Sequence, residues 1–299
     1  MVLGIDIGGT SVKFGVVDEK YNILKHYQIP TKKDETDNEF VLSIIEKAIY
    51  IKQEFGYDQI GIGIPGTIDS EKGVVIRASN LPCKNTSIAD MMEKNIGVPV
   101  KIANDATCAV CGELYAGHGR NYKDFLMVTL GTGIGGGIVI GGKPYFGKLG
   151  RAGEFGHIII EKDGLPCPCG QKGCYEQYAS VTALIRITKE LAQRYPESIL
   201  AESCRKEISG KTAFDAAQKG CFAAIEVINN YIDNIAIGLQ SLARAFQPEL
   251  IIIGGAISGE KDNLILPLRK KVTLPIEICA SDLKNDAGII GAAVNAMLN

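Results

Sequence analysis

One pattern occurs twice in this chain and limits what it can fold into. Around Asp6-Ile7-Gly8-Gly9-Thr10 the sequence is apolar and β-branched on both sides of the glycines, which predicts a strand, a tight turn at Gly8-Gly9 and a returning strand. The same grammar returns from Phe125 to Ile140, with its turn in Leu130-Gly131-Thr132-Gly133-Ile134-Gly135-Gly136-Gly137. Two copies, each heading a run of alternating strands and helices, imply a duplicated α/β architecture. Gly131, Gly133 and Gly136 also fit G-x-G-x-x-G. A dinucleotide fingerprint, however, opens a helix at that loop, and here a second strand follows, closed by Gly141-Gly142.

A glycine hairpin can exist without a ligand. Two of them facing one another across a cleft can clamp a triphosphate. Glycine lets backbone N–H groups approach phosphate oxygens, Thr10 adds a hydroxyl donor, and Asp6 adds a carboxylate near the accompanying metal.

The 299 residues are enough for two domains with a sizeable core. With 46% hydrophobic and 22% charged residues the chain reads as globular. A formal net charge of -2 argues against a nucleic-acid partner, which needs concentrated Lys and Arg. The start, Met1 to Asp6, has no basic region of a secretory signal, and no apolar run approaches the roughly 20 residues of a membrane span. A cytoplasmic protein without membrane contact is expected, its nine cysteines being free thiols or metal ligands.

Between the glycine loops, Val98 to Ile102 reads as a strand running into Asn104-Asp105 and then a helix of small residues. An Asp at a helix start serves well as an N-cap. A carboxylate at a strand end in a cleft also serves as general base for an attacking hydroxyl, with Asn104 bonding neighbouring hydroxyls. Because positioning outweighs proton acceptance in phosphoryl transfer, Asp105 would also aim the nucleophile.

Further along, Gly153-Glu154-Phe155-Gly156-His157 precedes Cys167, Cys169 and Cys174, a C-x-C-x4-C spacing among Gly, Pro and Lys. Free cysteines in a surface loop are the plain alternative. Three thiolates and an imidazole make a closed tetrahedral zinc site, and His157 is the only nearby histidine of three. Such a zinc is structural and would brace the loop carrying Glu154 and Glu176, two carboxylates suited to hydroxyl groups.

Together these residues resemble the ROK family of bacterial sugar kinases and related repressors, within the hexokinase, Hsp70 and actin superfamily. The resemblance implies a two-domain α/β, actin-like (ribonuclease H-like) fold with a cleft between the domains and a zinc-binding loop. It implies ATP-dependent phosphorylation of a hexose, glucose at O6 before N-acetylmannosamine or N-acetylglucosamine, with Asp105 as base. Sugar contacts then fall to Asn80, Asn104, Asp105, Glu154, His157 and Glu176, and zinc to His157, Cys167, Cys169 and Cys174. His157 would use one ring nitrogen for zinc and the other for a sugar hydroxyl.

ATP with Mg2+ is expected on Asp6, Gly8, Gly9, Thr10, Lys13, Gly131, Thr132 and Gly133, and its adenosine beside Gly254 and Gly255. Where the family often has an aromatic residue after Asn80-Leu81, this chain has Cys83-Lys84-Asn85. The repressor branch carries an extra N-terminal DNA reader, for which a first loop at Asp6 leaves no residues.

The first domain is expected over 1–119 and the second over 120–286, with a terminal helix at about 287–299 packing back on the first. Helices are expected from Val181 to Tyr195 and from Ala213 to Phe246, their apolar faces serving core or homodimer interface. Cys108 and Cys111, a C-x-x-C without redox context, read as packing.

Overall fold

The computed structural model describes residues 1–32, 34–78, 81–148 and 152–298. They divide into two compact units, Met1–Tyr122 with Gly137–Ala152 and Asn285–Asn299, and Lys123–Gly136 with Gly153–Lys284. In chain order the first stretch contains β1 (Val2–Ile7), β2 (Ser11–Val17), β3 (Ile23–Pro30), α1 (Asp37–Phe55), β4 (Gln59–Ile64), β5 (Thr67–Asp69), β6 (Val74–Arg77), β7 (Lys84–Thr86), α2 (Ile88–Ile96), β8 (Val100–Asn104) and α3 (Asp105–Ala116). Then follow β9 (Phe125–Leu130), β10 (Ile134–Ile140), β11 (Lys143–Pro144), α4 (Glu176–Ala179), α5 (Val181–Arg194), α6 (Ile199–Ser203), α7 (Thr212–Gln218), α8 (Phe222–Phe246), β12 (Leu250–Gly254), α9 (Asp262–Lys271), β13 (Glu277–Ala280) and α10 (Ala287–Met297).

In the first unit the strands run in the order β3-β2-β1-β4-β8, antiparallel across β3-β2-β1 and parallel across β1-β4-β8. The two-residue period of β1 decides what covers each face. Leu3, Ile5 and Ile7 join Phe40, Val41 and Ile44 of α1 and Met92 of α2 in one core. Each such side chain contributes about 1.5–3 kcal/mol when fully buried. The opposite residue Val2 joins Val17 with Ile289, Ala293 and Ala296 of α10. On that face Gly4 and Gly61 lie directly under α10, where an added Cβ would run into the carbonyls of Ile289 and Ala292. Helix and strand backbones therefore touch, which puts the N-terminal turn of α10 beside Asp6. A capping box between Thr36 and Glu39 starts α1, and Gly56 at φ 64° ends it.

The second five-stranded sheet among the described residues has the order β11-β10-β9-β12-β13, with β9, β12 and β13 parallel. Every residue of β12 is buried, matching its unbroken apolar run Leu250 to Ile253. Helices α4 to α9 belong to the same unit as β9, β12 and β13. The helical region expected from Ala213 to Phe246 consists of two helices, α7 and α8. It breaks at Gly220, whose φ of 77° no right-handed helix accommodates.

Candidate active site

Asp6 sits one residue before the end of β1, opposite Lys13 of β2, with Oδ2 3.7 Å from Lys13 Nζ. On its other side an added Cβ at Gly288 of α10 would come within 3.0 Å of Asp6 Cγ. Burial raises the Asp6 carboxyl above its ordinary value, against the opposing pull of Lys13. A desolvated carboxylate gains from a nearby divalent cation, so this donor fits a magnesium ion carried with a triphosphate. Beyond it the chain turns at Gly8, whose N–H donates to Ser11 O at 3.0 Å, followed by half-buried Gly9 and exposed Thr10.

β8 carries the chain to Asn104 and Asp105. The N-cap of α3 is Asn104: its Oδ1 accepts the Ala106 N–H at 2.9 Å while its Nδ2 donates to Gly66 O at 3.3 Å. Asp105 is the first helical residue, its Oδ1 also 2.9 Å from Ala106 N. The capping role that the sequence left open for Asp105 thus belongs mainly to its neighbour. Behind them on α3, Cys108 and Cys111 are buried, which pushes the Cys111 thiol up to about 12 and that of Cys108 well above its ordinary value. Both are inert packing residues.

In the second unit the turn from Gly131 to Gly133 joins β9 to β10, closed by Gly131 N–H donating to Gly133 O at 3.0 Å. Gly254 ends β12 in register with Thr129, and Gly255 follows at φ 84°. A Cβ on Gly255 would lie 2.7 Å from the Leu130 carbonyl carbon, so only glycine fits there. Gly131, Thr132, Gly133, Gly254 and Gly255 therefore gather at the ends of two adjacent parallel strands, where open α/β sheets bind ligands.

The cysteine loop closes on His157 within the same unit. The ligand atoms of His157, Cys167, Cys169 and Cys174 all lie within 4.8 Å of one another. Cys169 and Cys174 Sγ are 3.6 Å apart, close to the edge of about 3.8 Å expected for a tetrahedron with metal–sulfur bonds of roughly 2.3 Å. The Gln171 backbone N–H holds the exposed Cys169 thiol below its ordinary value, whereas burial pushes Cys174 up and Cys167 up to about 12. A zinc ion would stabilise the thiolates against that burial, so the donor set fits it.

The imidazole has two faces. His157 Nδ1 looks toward Cys167 Sγ at 3.7 Å, and Nε2 lies 3.9 Å from Glu154 Oε2. Glu176 Oε1 is 3.2 Å from Cys167 Sγ and 3.8 Å from His157 Nδ1. The other oxygen of Glu176 lies against Gly133, where an added Cβ would come within 2.7 Å of it.

Two supports escaped the sequence reading. Tyr175, between Cys174 and Glu176, is fully buried, donates its hydroxyl to Ile235 O at 2.8 Å and packs against Gly238 of α8, where an added Cβ would run into its ring. The helix-breaking cost of a mid-helix glycine was the available signal. Gly288, in a helix given no role in the chemistry, is the other. Asn80, like Gly150 and Arg151, lies outside the described residues.

Comparison with known proteins gives this geometry its family. The chain is 37% identical to the glucokinase of Streptomyces coelicolor, across 98% of this chain and 96% of that one. The glucokinase of Thermotoga maritima matches equally, at 37% with the same coverage. Among solved structures, a ROK family glucokinase from Streptomyces griseus in complex with glucose and AMPPNP superposes with a TM-score of 0.88 at 35% identity, covering 100% of this chain and 99% of that one. The ROK family model itself matches residues 2–297, and the chain belongs to the ROK family.

Proposed function

We propose that the protein is an ATP-dependent hexose kinase that transfers the terminal phosphoryl group of ATP to O6 of glucose, with Asp105 as general base. The observation that carries this reading is the 37% identity to glucokinases over nearly the whole chain. The structural relative that holds glucose and AMPPNP supports the same pair of substrates.

In this reading Asp105 accepts the O6 proton as O6 attacks the γ-phosphorus. One P–O bond forms while the bridging bond to ADP breaks. Asn104 keeps its capping bonds and has a second amide hydrogen for a neighbouring hydroxyl. His157 directs Nδ1 to the cysteines and Nε2 to the sugar, with Glu154 and Glu176 as further hydroxyl partners. Zinc on His157, Cys167, Cys169 and Cys174 supplies rigidity alone, since a closed four-ligand site has no open position. Magnesium beside Asp6, when bound, supplies neutralising charge to the phosphates, and Lys13 adds a fixed positive charge.

No disulfide joins any of the nine cysteines, all of which lie among the described residues. No helix among the described residues is long and apolar enough to cross a membrane. Exposed Phe222, Ile225 and Ile237 along α8 support a homodimer as the working form.

A coupled ADP-release assay across glucose, mannose, N-acetylglucosamine and N-acetylmannosamine tests the proposal. Glucose should give the highest kcat/KM. A higher value for an N-acetylated sugar would move the substrate assignment, and folded, zinc-loaded protein with no hexose-dependent ADP release would sink the kinase reading.

A further inference from the structure

The two glycine turns share a device that their sequences do not announce. In the first, Thr31, the residue after β3, makes two bonds to the loop: its hydroxyl donates to Gly8 O at 2.7 Å and its N–H to Thr10 O at 3.0 Å. In the second, the opening of α5 does the same work. The Val181 N–H donates to Gly131 O at 2.8 Å, and the Thr182 hydroxyl donates to Thr132 O at 2.7 Å. Ser180 caps that helix by accepting the Ala183 N–H at 3.1 Å, which fixes where Thr182 stands.

A peptide unit is planar and trans, so the carbonyl of one residue and the N–H of the next point in opposite directions. Holding Gly8 O toward Thr31 therefore aims the Gly9 N–H the other way. Holding Gly131 O and Thr132 O toward α5 aims the N–H groups of Thr132 and Gly133 away from it. An unanchored glycine peptide could flip and turn a carbonyl oxygen toward a phosphate, replacing attraction by repulsion. Threonine suits the task because its branched Cβ leaves few χ1 choices, so its hydroxyl is already aimed.

We propose that Thr31 and Thr182 are positioning residues for the nucleotide. Each pins one or more loop carbonyls so that the N–H groups of Gly9, Thr132 and Gly133 face the triphosphate. The proposal rests on the reading of these turns as phosphate loops. Thr31→Val and Thr182→Val remove the hydroxyl at nearly constant volume. Each should raise the KM for ATP and weaken calorimetric AMPPNP binding by about 5- to 10-fold, the size of one lost hydrogen bond. The KM for glucose should stay within about twofold, and Thr→Ser at either position should restore the nucleotide values.

Unchanged AMPPNP affinity in both valine variants, with wild type binding normally, would overturn the proposal while leaving the kinase reading intact. Equal weakening of ATP and glucose would also overturn it, since that marks general loosening. A wild-type protein that binds no AMPPNP would instead refute the phosphate-loop reading beneath it.

Discussion

Gly291→Ala sets two effects against each other whose sizes can be worked out. Alanine is favoured over glycine in a helix interior by about 1 kcal/mol, so on propensity alone α10 should be strengthened. The packing says otherwise. A Cβ at position 291 would lie 2.8 Å from Gly112 N and closer still to the Cys108 carbonyl oxygen, both backbone atoms of α3. No side-chain rotation relieves that overlap. Carbon contacts settle near 3.5–4.0 Å, and the approach to the Cys108 carbonyl is the shortest, so α3 and α10 must part by about 2 Å. Overpacking of this kind costs about 1–3 kcal/mol, and rigid backbone partners put it at or above the upper end. The net loss is about 2 kcal/mol, a fall of about 4–8 °C in the melting of the first unit at 2–4 °C per kcal/mol.

The same displacement carries Asp105, the first residue of α3, and a misplacement of about 1 Å can cost about 100-fold in rate. Thermal melting and kcat with saturating ATP and glucose are the two measurements. Gly259→Ala, where an added Cβ meets nothing within 4 Å, is the control and should be neutral. A Gly291→Ala protein that melts at or above wild type and keeps its kcat would show that helix propensity wins and that the contact between α3 and α10 is not tight.

Other outcomes follow from the same geometry. Cys169→Ser, or removal of metal with a chelator, should release the loop that carries Glu176. The sugar KM should then rise by about 10- to 100-fold, as losses at ordered metal sites do, with a smaller change in the ATP KM; an unchanged sugar KM in metal-free protein would refute the bracing role. Asp6→Asn should abolish turnover yet raise the Tm at pH 7. Because burial raises the folded pKa of Asp6, the folded state binds the proton more tightly than the unfolded one. Its ionisation penalty is therefore fully present above the raised value and fades as pH falls toward about 4. The Tm advantage of the variant should shrink over that range, and a Tm gap independent of pH would contradict the assignment.

Much of this was legible because the signals are local. The alternation of Leu3, Ile5 and Ile7 against Val2, Gly4 and Asp6 sorts one strand into two faces before any coordinates are known. Cys167, Cys169 and Cys174 share one short loop, and His157 is near enough in sequence to be assigned to them. The junction at Asn104-Asp105 was equally plain, but which of the two caps α3 depends on side-chain direction and on Gly66, outside the local pattern.

What stayed hidden depends on contacts between residues far apart in the chain. Gly288 against Asp6, Tyr175 on Gly238, and Thr31 on Gly8 are all of this kind. The break at Gly220 falls inside the helical region expected from Ala213 to Phe246, where a glycine is the only local mark of it.

The central claim is that Asp105 accepts the proton of the attacking hydroxyl after the sugar has bound. The most direct test compares wild type and Asp105→Asn, with kcat measured by glucose-dependent ADP release and glucose affinity by calorimetry. Loss of a general base should lower kcat by about 100- to 10,000-fold, with glucose affinity within about threefold because Asn104, His157 and the two glutamates are untouched. Near-normal kcat in Asp105→Asn would contradict the account.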